Sequence, residues 1–413
     1  MLESIAGGAT PRRSDDSLYA DDGVRFFRIL NVDDGEIVER DLKYVTDAVH
    51  NGLLERSQLA AGDVLMTITG RVGSAAVVGE DHLPANINQH IARLRVDRSR
   101  CRPEFLSEWL NCPAGLELSN RYVSGGTRAA LDYGAIRNLR VPLPPLETQE
   151  ALVAAMDAAR AEQHAKLAEA DALLAGIDDF LLDALGIAPP VEDRRRVFAV
   201  SLNQMSGQER LNSDYYHPER VQALQQLERA ADSMAVAPLA EVVNFVREQL
   251  KTPRGNYLSL AHVQSHTGEL TDTTDTASGN CFTFQANDVL FARLRPYLNK
   301  VYRAEIDGCC STEFHVLRVK DGEALLPEYL AAILRSCLAL SQTVHMMTGN
   351  THPRLTNDDV ENLTVPIPSL DVQVRVAAEI VRRREQARRL RAEAEAGWEG
   401  AKRWFEGRLL SSS

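Results

Sequence analysis

Short runs of alternating apolar and polar residues occur in two well-separated parts of the chain. "VRFFRI", "GDVLMTI" and "IARLRV" fall between residues 24 and 96, and "NYLSL", "NDVLFARL" and "FHVLRV" between 256 and 319. Their β-branched and aromatic content predicts half-buried strands. Each set is followed by a Pro-Glu opening, "PEFLSEWLNC" and "PEYLAAILRSCLALSQ". Proline and glutamate suit a helix's first turn, so each stretch predicts a helix. The period then changes to threes and fours. From Glu147 to about Leu185 the ladder runs Leu152, Met156, Ala159, Gln163, Leu167, Ala170, Leu174, Ile177, Leu181 and Ala184. After Asp371 a second runs Val376, Ile380, Arg383, Ala387, Leu390, Ala394, Trp398, Ala401 and Phe405. So narrow a seam predicts two coiled-coil helices of roughly 40 residues, each about 60 Å long.

The two parts are copies of one unit. Shifted by 224 residues, Val123–Gln149 lies on Met347–Gln373 without a gap, and ten of the 27 pairs are identical. They are Gly125/Gly349, Thr127/Thr351, Leu131/Leu355, Asn138/Asn362, Leu139/Leu363, Val141/Val365, Pro142/Pro366, Pro144/Pro368, Leu146/Leu370 and Gln149/Gln373. "PEFL" meets "PEYL" at the same shift, and "GDVLMTITG" meets "NDVLFARLR" one residue further out. A period this long indicates duplicated domains rather than a solenoid of short repeats. Strands with a few helices, and no regular β-α-β alternation, imply an α+β fold. Each copy ends in a glycine loop, then a proline segment ("VPLPP", "VPIPS") held extended because residues before proline avoid the helical region, then a long helix. Asp358 and Asp359, ahead of the second proline segment, suit N-terminal capping.

Composition adjusts this picture in three places. The formal net charge of -12 argues against a free-standing nucleic-acid binder, although local patches matter more than the sum. The two helical stretches differ in sign: residues 147–186 carry two basic and nine acidic residues, and residues 371–410 carry ten basic and seven acidic. Opposite nets favour pairing the helices with each other. No apolar run approaches the roughly 18 residues that span a bilayer. "MLESIAGGATPRR" carries no signal-peptide core, so a cytoplasmic location is expected. The six cysteines lack C-x-x-C spacing and are expected as reduced thiols. Cys309–Cys310 beside His315 reads as buried structural cysteine rather than a metal site, because no second ligand pair follows.

The chain carries no phosphate loop, H-E-x-x-H, G-x-S-x-G, G-x-G-x-x-G or N-P-P-[YF] signature. No catalytic residue, metal ligand or cofactor site is therefore expected in it. The loops read as binding surfaces instead. "FARLRPYLNKVYR" offers Arg293, Arg295, Asn299 and Lys300 among Phe291, Tyr297 and Tyr302, and arginine forks suit guanine or phosphate. The matched "TITGRVGSAAVV" offers Thr67, Thr69 and Arg71 with two glycines that let backbone N–H groups approach phosphate. "NINQH" supplies Asn88 and Gln89 as amides able to read adenine edges, and "STEFH" stands at the corresponding place in copy two. The glycine loops, with Ser124, Gly125, Gly126, Thr127 and Arg128 in copy one and Gly349, Asn350, Thr351, His352 and Arg354 in copy two, are expected to face DNA.

"LRVPLPPLETQEALVAAMDA" and "LTVPIPSLDVQVRVAAEI" resemble the conserved regions of the specificity (S) subunit of type I restriction-modification systems. "GDVLMTITGRVG" and "NDVLFARLRPYLNKV" resemble that family's G-D-[IL]-L strand–loop. "RLNSDYYHPE" (Arg210–Glu219) resembles its lead-in to a recognition domain, and "IAGGATP" its opening G-G-T-P. The likeness covers nearly all of the chain in order and in duplication. It implies two target recognition domains separated by a long antiparallel two-helix coiled coil. The corresponding boundaries are 1–146, a central helix 147–187, a linker and lead-in 188–236, a second domain 237–370 and a C-terminal helix 371–413. It further implies that each domain reads half of an asymmetric bipartite target in double-stranded DNA. The partners implied are two modification subunits, which bind S-adenosylmethionine and methylate adenine, and two restriction subunits driven by ATP and Mg2+, for phage defence. Copy one departs from the family in lacking a "DYYHPE" equivalent and in having Ile68–Thr69 where arginine is frequent, and copy two in having Asn287 for glycine. Three other readings compete: a specificity chain for a different methyltransferase-based defence complex, a coiled-coil scaffold that does not bind DNA, and a free-standing methyltransferase, which the missing motifs disfavour.

Overall fold

The computed structural model describes the chain except residues 13–15, 124–129, 194, 196, 202–211, 278, 323, 350, 412 and 413, and the side chain of residue 16. The chain forms two compact units, Met1–Ala168 with Leu390–Ser413 and Glu169–Arg389. The two long helices run Leu146–Leu185 and Leu370–Leu410, so each unit holds part of both.

The duplication is visible in the sheets. Unit 1 has a four-stranded antiparallel sheet in the order Leu2–Gly7, Ile91–Val96, Val64–Thr67, Ala75–Val77. Unit 2 repeats the order with Val243–Val246, Phe314–Val319, Val289–Ala292 and Val301–Arg303. A parallel pair follows in each: Val24–Phe27 with Ala85–Ile87, and Tyr257–Leu258 with Gly308–Ser311. The third strand of that second sheet differs. Cys281–Phe284 pairs with Gly308–Ser311 in unit 2, whereas in unit 1 the matched position is reduced to a bridge between Gln58 and Asn86.

The shared "[GN]DVL" and "LRV" runs have a physical cause. Gly62 (φ 84°) and Asn287 (φ 72°) occupy the same left-handed turn position, which explains how asparagine substitutes for glycine. The following aspartates, Asp63 and Asp288, are 3% and 1% exposed. Asp63 accepts from Ala60 N at 2.9 Å and pairs with Arg95 at 2.8 Å; Asp288 accepts from Gln285 N at 2.8 Å and pairs with Arg318 at 2.7 Å. A buried carboxylate needs such partners, so the motif holds the turn to the neighbouring strand.

The first Pro-Glu stretch forms the helix Pro103–Asn111, as expected, and a further helix, Pro113–Arg121, follows it past Cys112. The second stretch forms two helices rather than one, Pro327–Arg335 and Cys337–Thr343, broken at Ser336. Ser336 is extended and accepts from Ala339 N, capping the second helix. The second proline segment is a strand, Thr364–Ile367, paired antiparallel with Ala235–Pro238. Ahead of it, Thr356 caps the helix Asn357–Glu361, and Asp359 accepts in return from Thr356 N at 2.7 Å.

The joint between proline segment and long helix is built identically twice. Gln149 and Gln373 are fully buried. The Gln149 amide donates to Arg100 O (3.0 Å) and Pro144 O (2.8 Å) and accepts from Arg102 N (2.9 Å). The Gln373 amide donates to Ala324 O (2.9 Å) and Pro368 O (2.9 Å) and accepts from Leu326 N (2.8 Å). One side chain therefore ties the proline segment, the helix start and the loop before the Pro-Glu helix.

No member of either predicted ladder is exposed. In unit 1, Arg160 lies over the Trp398 ring at 4.3 Å and pairs with Glu108, and its guanidinium donates to Asp34 O at 2.6 Å. Trp398 Nε1 donates to Asp34 Oδ2 at 2.7 Å. In unit 2, Arg383 donates to Gly176 O at 2.5 Å and lies 5.0 Å over Phe180. The polar ladder position Arg383 is thus satisfied by the facing helix. The six cysteines are unpaired, and all but Cys337 are buried.

Candidate nucleic-acid interface

In each unit the chain leaving the glycine loop is zipped to the strand–loop. Leu131 N donates to Ile68 O at 2.9 Å, and Thr69 bridges Ala130. In unit 2, Leu355 N donates to Arg293 O at 2.9 Å, and Leu294 bridges Arg354. The "NINQH" and "STEFH" loops abut the same place. Among the described residues, the backbone therefore brings two sequence-distant loops and the chain leaving the glycine loop to one place in each copy.

In unit 1 that surface carries a hydrogen-bonded relay. Thr69 Oγ1 lies 2.8 Å from His90 Nδ1, and Gln89 Nε2 lies 3.1 Å from His90 Nε2. The Thr10 hydroxyl donates to Gln89 Oε1. Thr10 is held there because Gly8 runs against Ile87: a Cβ on Gly8 would stand 1.8 Å from Ile87 O. Arg71 is exposed and pairs with Asp33. Thr10 and His90 were missed as site residues, although the G-G-A-T-P opening and the "NINQH" run contained them; nothing in their spacing signalled the contact between them.

The structure withdraws Thr67 from this surface. It is fully buried, and its hydroxyl donates to Arg71 O and to Ser74 O (3.2 Å), closing its own hairpin. Asn88, 6% exposed, accepts from His90 N at 3.0 Å and so shapes the loop rather than facing outward. Ser124, Gly125, Gly126, Thr127 and Arg128 lie outside the described residues, as does Asn350.

In unit 2, Arg295 is exposed at a left-handed turn (φ 50°), where its N–H donates to Pro353 O at 2.8 Å. Among the described residues its guanidinium makes no ion pair. Gly349, Thr351 and His352 are exposed nearby in the glycine loop. Arg354 forms a two-pronged pair with Glu313, at 3.0 and 2.8 Å, and this pairing holds the Glu313 carboxyl below its ordinary range. Arg293 is half-buried, with its Nε buried and unpartnered. Asn299 and Lys300 turn inward. Asn299, 7% exposed, donates to Arg335 O at 2.7 Å, and Lys300 Nζ donates to Leu260 O at 2.7 Å. Burial lowers the Lys300 pKa.

Among the described residues, His217, Glu219 and His345 bring potential metal-ligand atoms within 4.8 Å of one another. The two imidazoles stack at 3.9 Å with an interplanar angle of 11°. Their in-plane lone pairs therefore run parallel and do not converge on one ion. His345 Nε2 instead meets Glu219 Oε2 at 3.2 Å. No helix among the described residues is long and apolar enough to cross a membrane.

The family model described as the type I restriction modification DNA specificity domain matches residues 7–169 and 254–382. The specificity subunit of the type I restriction enzyme EcoBI from Escherichia coli is 30% identical over 135 residues, 32% of this chain and 27% of that one. The EcoDI specificity subunit, also from Escherichia coli, is 26% identical over 157 residues, 36% of this chain and 32% of that one. The matched stretches thus span less than a third of either curated relative. The HsdS subunit from Thermoanaerobacter tengcongensis aligns over 94% of this chain and 90% of its own, at 18% identity and a TM-score of 0.40. With well over half of its residues matched, in two segments that fall on the two copies of the repeat, the chain belongs to the type I restriction modification DNA specificity domain family.

Proposed function

We propose that this chain is a non-catalytic, sequence-specific DNA-binding subunit whose two units each read one half of a bipartite, asymmetric target. The observation that carries this reading is the twofold occurrence of one loop assembly with different side chains. A polar relay of Thr69, His90, Gln89 and Thr10 occupies the surface in one copy, and Arg295, His352 and Thr351 occupy it in the other. Amide and hydroxyl groups suit adenine edges, and an arginine fork suits guanine, so unlike surfaces favour unlike half-sites. The two long helices, paired antiparallel, set the separation of the half-sites. Support comes from the contacts that join them, Lys166 to Glu393 at 3.9 Å and Arg383 to Gly176 O.

Methylation and cleavage belong in this reading to partners: two adenine methyltransferase subunits using S-adenosylmethionine, and two restriction subunits using ATP and Mg2+. Those partners also supply positive surface, which resolves the chain's net charge of -12. The test is fluorescence anisotropy with duplex DNA and the partner methyltransferase, with and without this chain, across a salt series. The reading expects sequence-specific affinity that appears only with this chain and falls with salt. Equal affinity without the chain would leave it a scaffold.

A further inference from the structure

The duplication breaks down at one place beside the candidate surface. In unit 2 a pocket of about 230 Å³ is lined by Phe245, Phe282, Phe314 and His315, with Arg247, Arg293 and Asn357. The register shared by the two sheets identifies the counterparts in unit 1. Phe291 opposes His315 as Met66 opposes Ala92, and Phe245 opposes Leu317 as Ile5 opposes Leu94. The residues standing for Arg247, Arg293, His315 and Asn357 are therefore Gly7, Ile68, Ala92 and Tyr133. There Tyr133 lies directly on Gly7: a Cβ on that glycine would stand 1.8 Å from the Tyr133 hydroxyl oxygen. In unit 1 a phenol ring of the chain itself occupies the place that unit 2 keeps as a pocket.

The unit 2 pocket also has unused polar capacity. His315 is buried, and its Nε2 has no hydrogen-bond partner among the described residues. The Phe245 ring meets it edge-on, at 6.1 Å and 86°. Burial, with Arg293 and Arg247 nearby, lowers the His315 pKa to about 4, so at pH 7 the imidazole is neutral and offers one donor and one acceptor. Arg293 Nε is likewise buried and unpartnered. Arg247 pairs with Glu361 at 3.0 Å and Glu313 with Arg354 at 2.8 Å, whereas Arg293 forms no ion pair among the described residues. Buried polar atoms are rarely left without partners, and two such atoms at one pocket point to a ligand.

We propose that this pocket binds a nucleotide, with the base held among the phenylalanines and hydrogen-bonded by His315 and Asn357, and the phosphate at Arg293 and Arg247. Aromatic side chains hold bases by stacking, a neutral imidazole and an amide match the donors and acceptors of a base edge, and guanidinium forks suit phosphate. The pocket is smaller than the roughly 300–1,000 Å³ that drug-sized ligands need. It suits a single ring system, as Tyr133 supplies in unit 1. A free nucleotide and a base displaced from bound DNA present the same chemistry, and Arg293 and His315 belong to the strand–loop and "STEFH" runs of the candidate interface. Affinity for a mononucleotide does not depend on the DNA reading; only the nucleic-acid source of the base rests on it.

The test is isothermal titration of the full chain with the four deoxynucleoside monophosphates and, separately, with inorganic phosphate. The expected result is saturable binding of at least one nucleotide, at least tenfold tighter than phosphate. Arg293→Met should weaken it at least tenfold, and so should Asn357→Tyr, which installs the residue that unit 1 carries. Tyr133→Phe in unit 1 should leave it unchanged. Far-UV spectra and urea midpoints check that each variant is folded, and His315→Gln replaces any that is not, with the same expected weakening. No saturable nucleotide binding, equal binding of phosphate, or binding that the folded unit 2 variants leave intact would overturn the proposal. Displacement of the nucleotide by sheared genomic duplex, with the partner methyltransferase present, assigns the base to DNA; retention assigns the pocket to a free nucleotide.

Discussion

Replacing Gln149 by alanine tests the joint from which the long helix is launched. The side chain is fully buried and makes three hydrogen bonds, all to backbone groups. Truncation leaves the Arg102 N–H and the carbonyls of Arg100 and Pro144 without this partner. At a net value of about 1 kcal/mol per bond, and more where a buried donor is orphaned, the expected loss is roughly 3 kcal/mol. Urea unfolding followed by tryptophan fluorescence reads this loss in the right place, because Trp109, Trp398 and Trp404 all belong to unit 1. With a slope of about 2 kcal/mol per molar urea, the midpoint falls by roughly 1.5 M. Glu150→Ala is the neighbouring control. Its partner Arg102 and Glu150 itself are 36% and 55% exposed, and an exposed pair contributes below about 1 kcal/mol. A Gln149→Ala loss no larger than that of Glu150→Ala would refute the clamp.

Further outcomes follow from the candidate surface and from burial. Arg295→Ala should cost roughly 1–3 kcal/mol in binding to the cognate duplex, or relax preference at one base, measured by anisotropy over a panel of single-base variants. Thr67→Val should leave DNA affinity unchanged while lowering stability, since its hydroxyl is consumed within its hairpin; a selective loss of affinity would return Thr67 to the interface. His315 is 6% exposed, and burial lowers its pKa to about 4. The unfolded chain then binds more protons than the folded one between about pH 4 and 6.5, so stability falls as pH drops through that window, by at most about 1.4 kcal/mol per pH unit. Urea midpoints at pH 7 and 5 check this, and His315→Leu should flatten the difference. Deleting about four residues, one turn, from each long helix should shorten the preferred spacer between half-sites or abolish binding; an unchanged spacer would remove the helices' measuring role.

Much of the architecture was legible because it is periodic. The strand runs at Val64–Thr67, Ile91–Val96, Val289–Ala292 and Phe314–Val319 fell where alternation placed them. Both long helices begin within one residue of the expected start. Side-chain direction was not legible. Asn299 and Lys300 sit in a basic loop run of copy two, yet both turn inward to backbone carbonyls, and composition carries no information on which way a loop residue faces. Arg354 and Glu313 were both in view, but their pairing depends on a bridge between Thr348 and Arg354 that sequence spacing does not encode. The break at Ser336 was hidden by an uninterrupted apolar pattern, since serine is tolerated inside helices as well as at their caps. Gln149 and Gln373 stood out only as an identical pair, and their threefold clamp needed the neighbouring carbonyls in place.

The central claim is that the two units read different half-sites for a methyltransferase partner. Its most direct measurement is genome-wide mapping of methylated adenine in cells with and without this chain. The account predicts one asymmetric motif of two half-sites at a fixed spacing that is present only with the chain. An unchanged methylation pattern, or a single continuous palindromic motif, would contradict it.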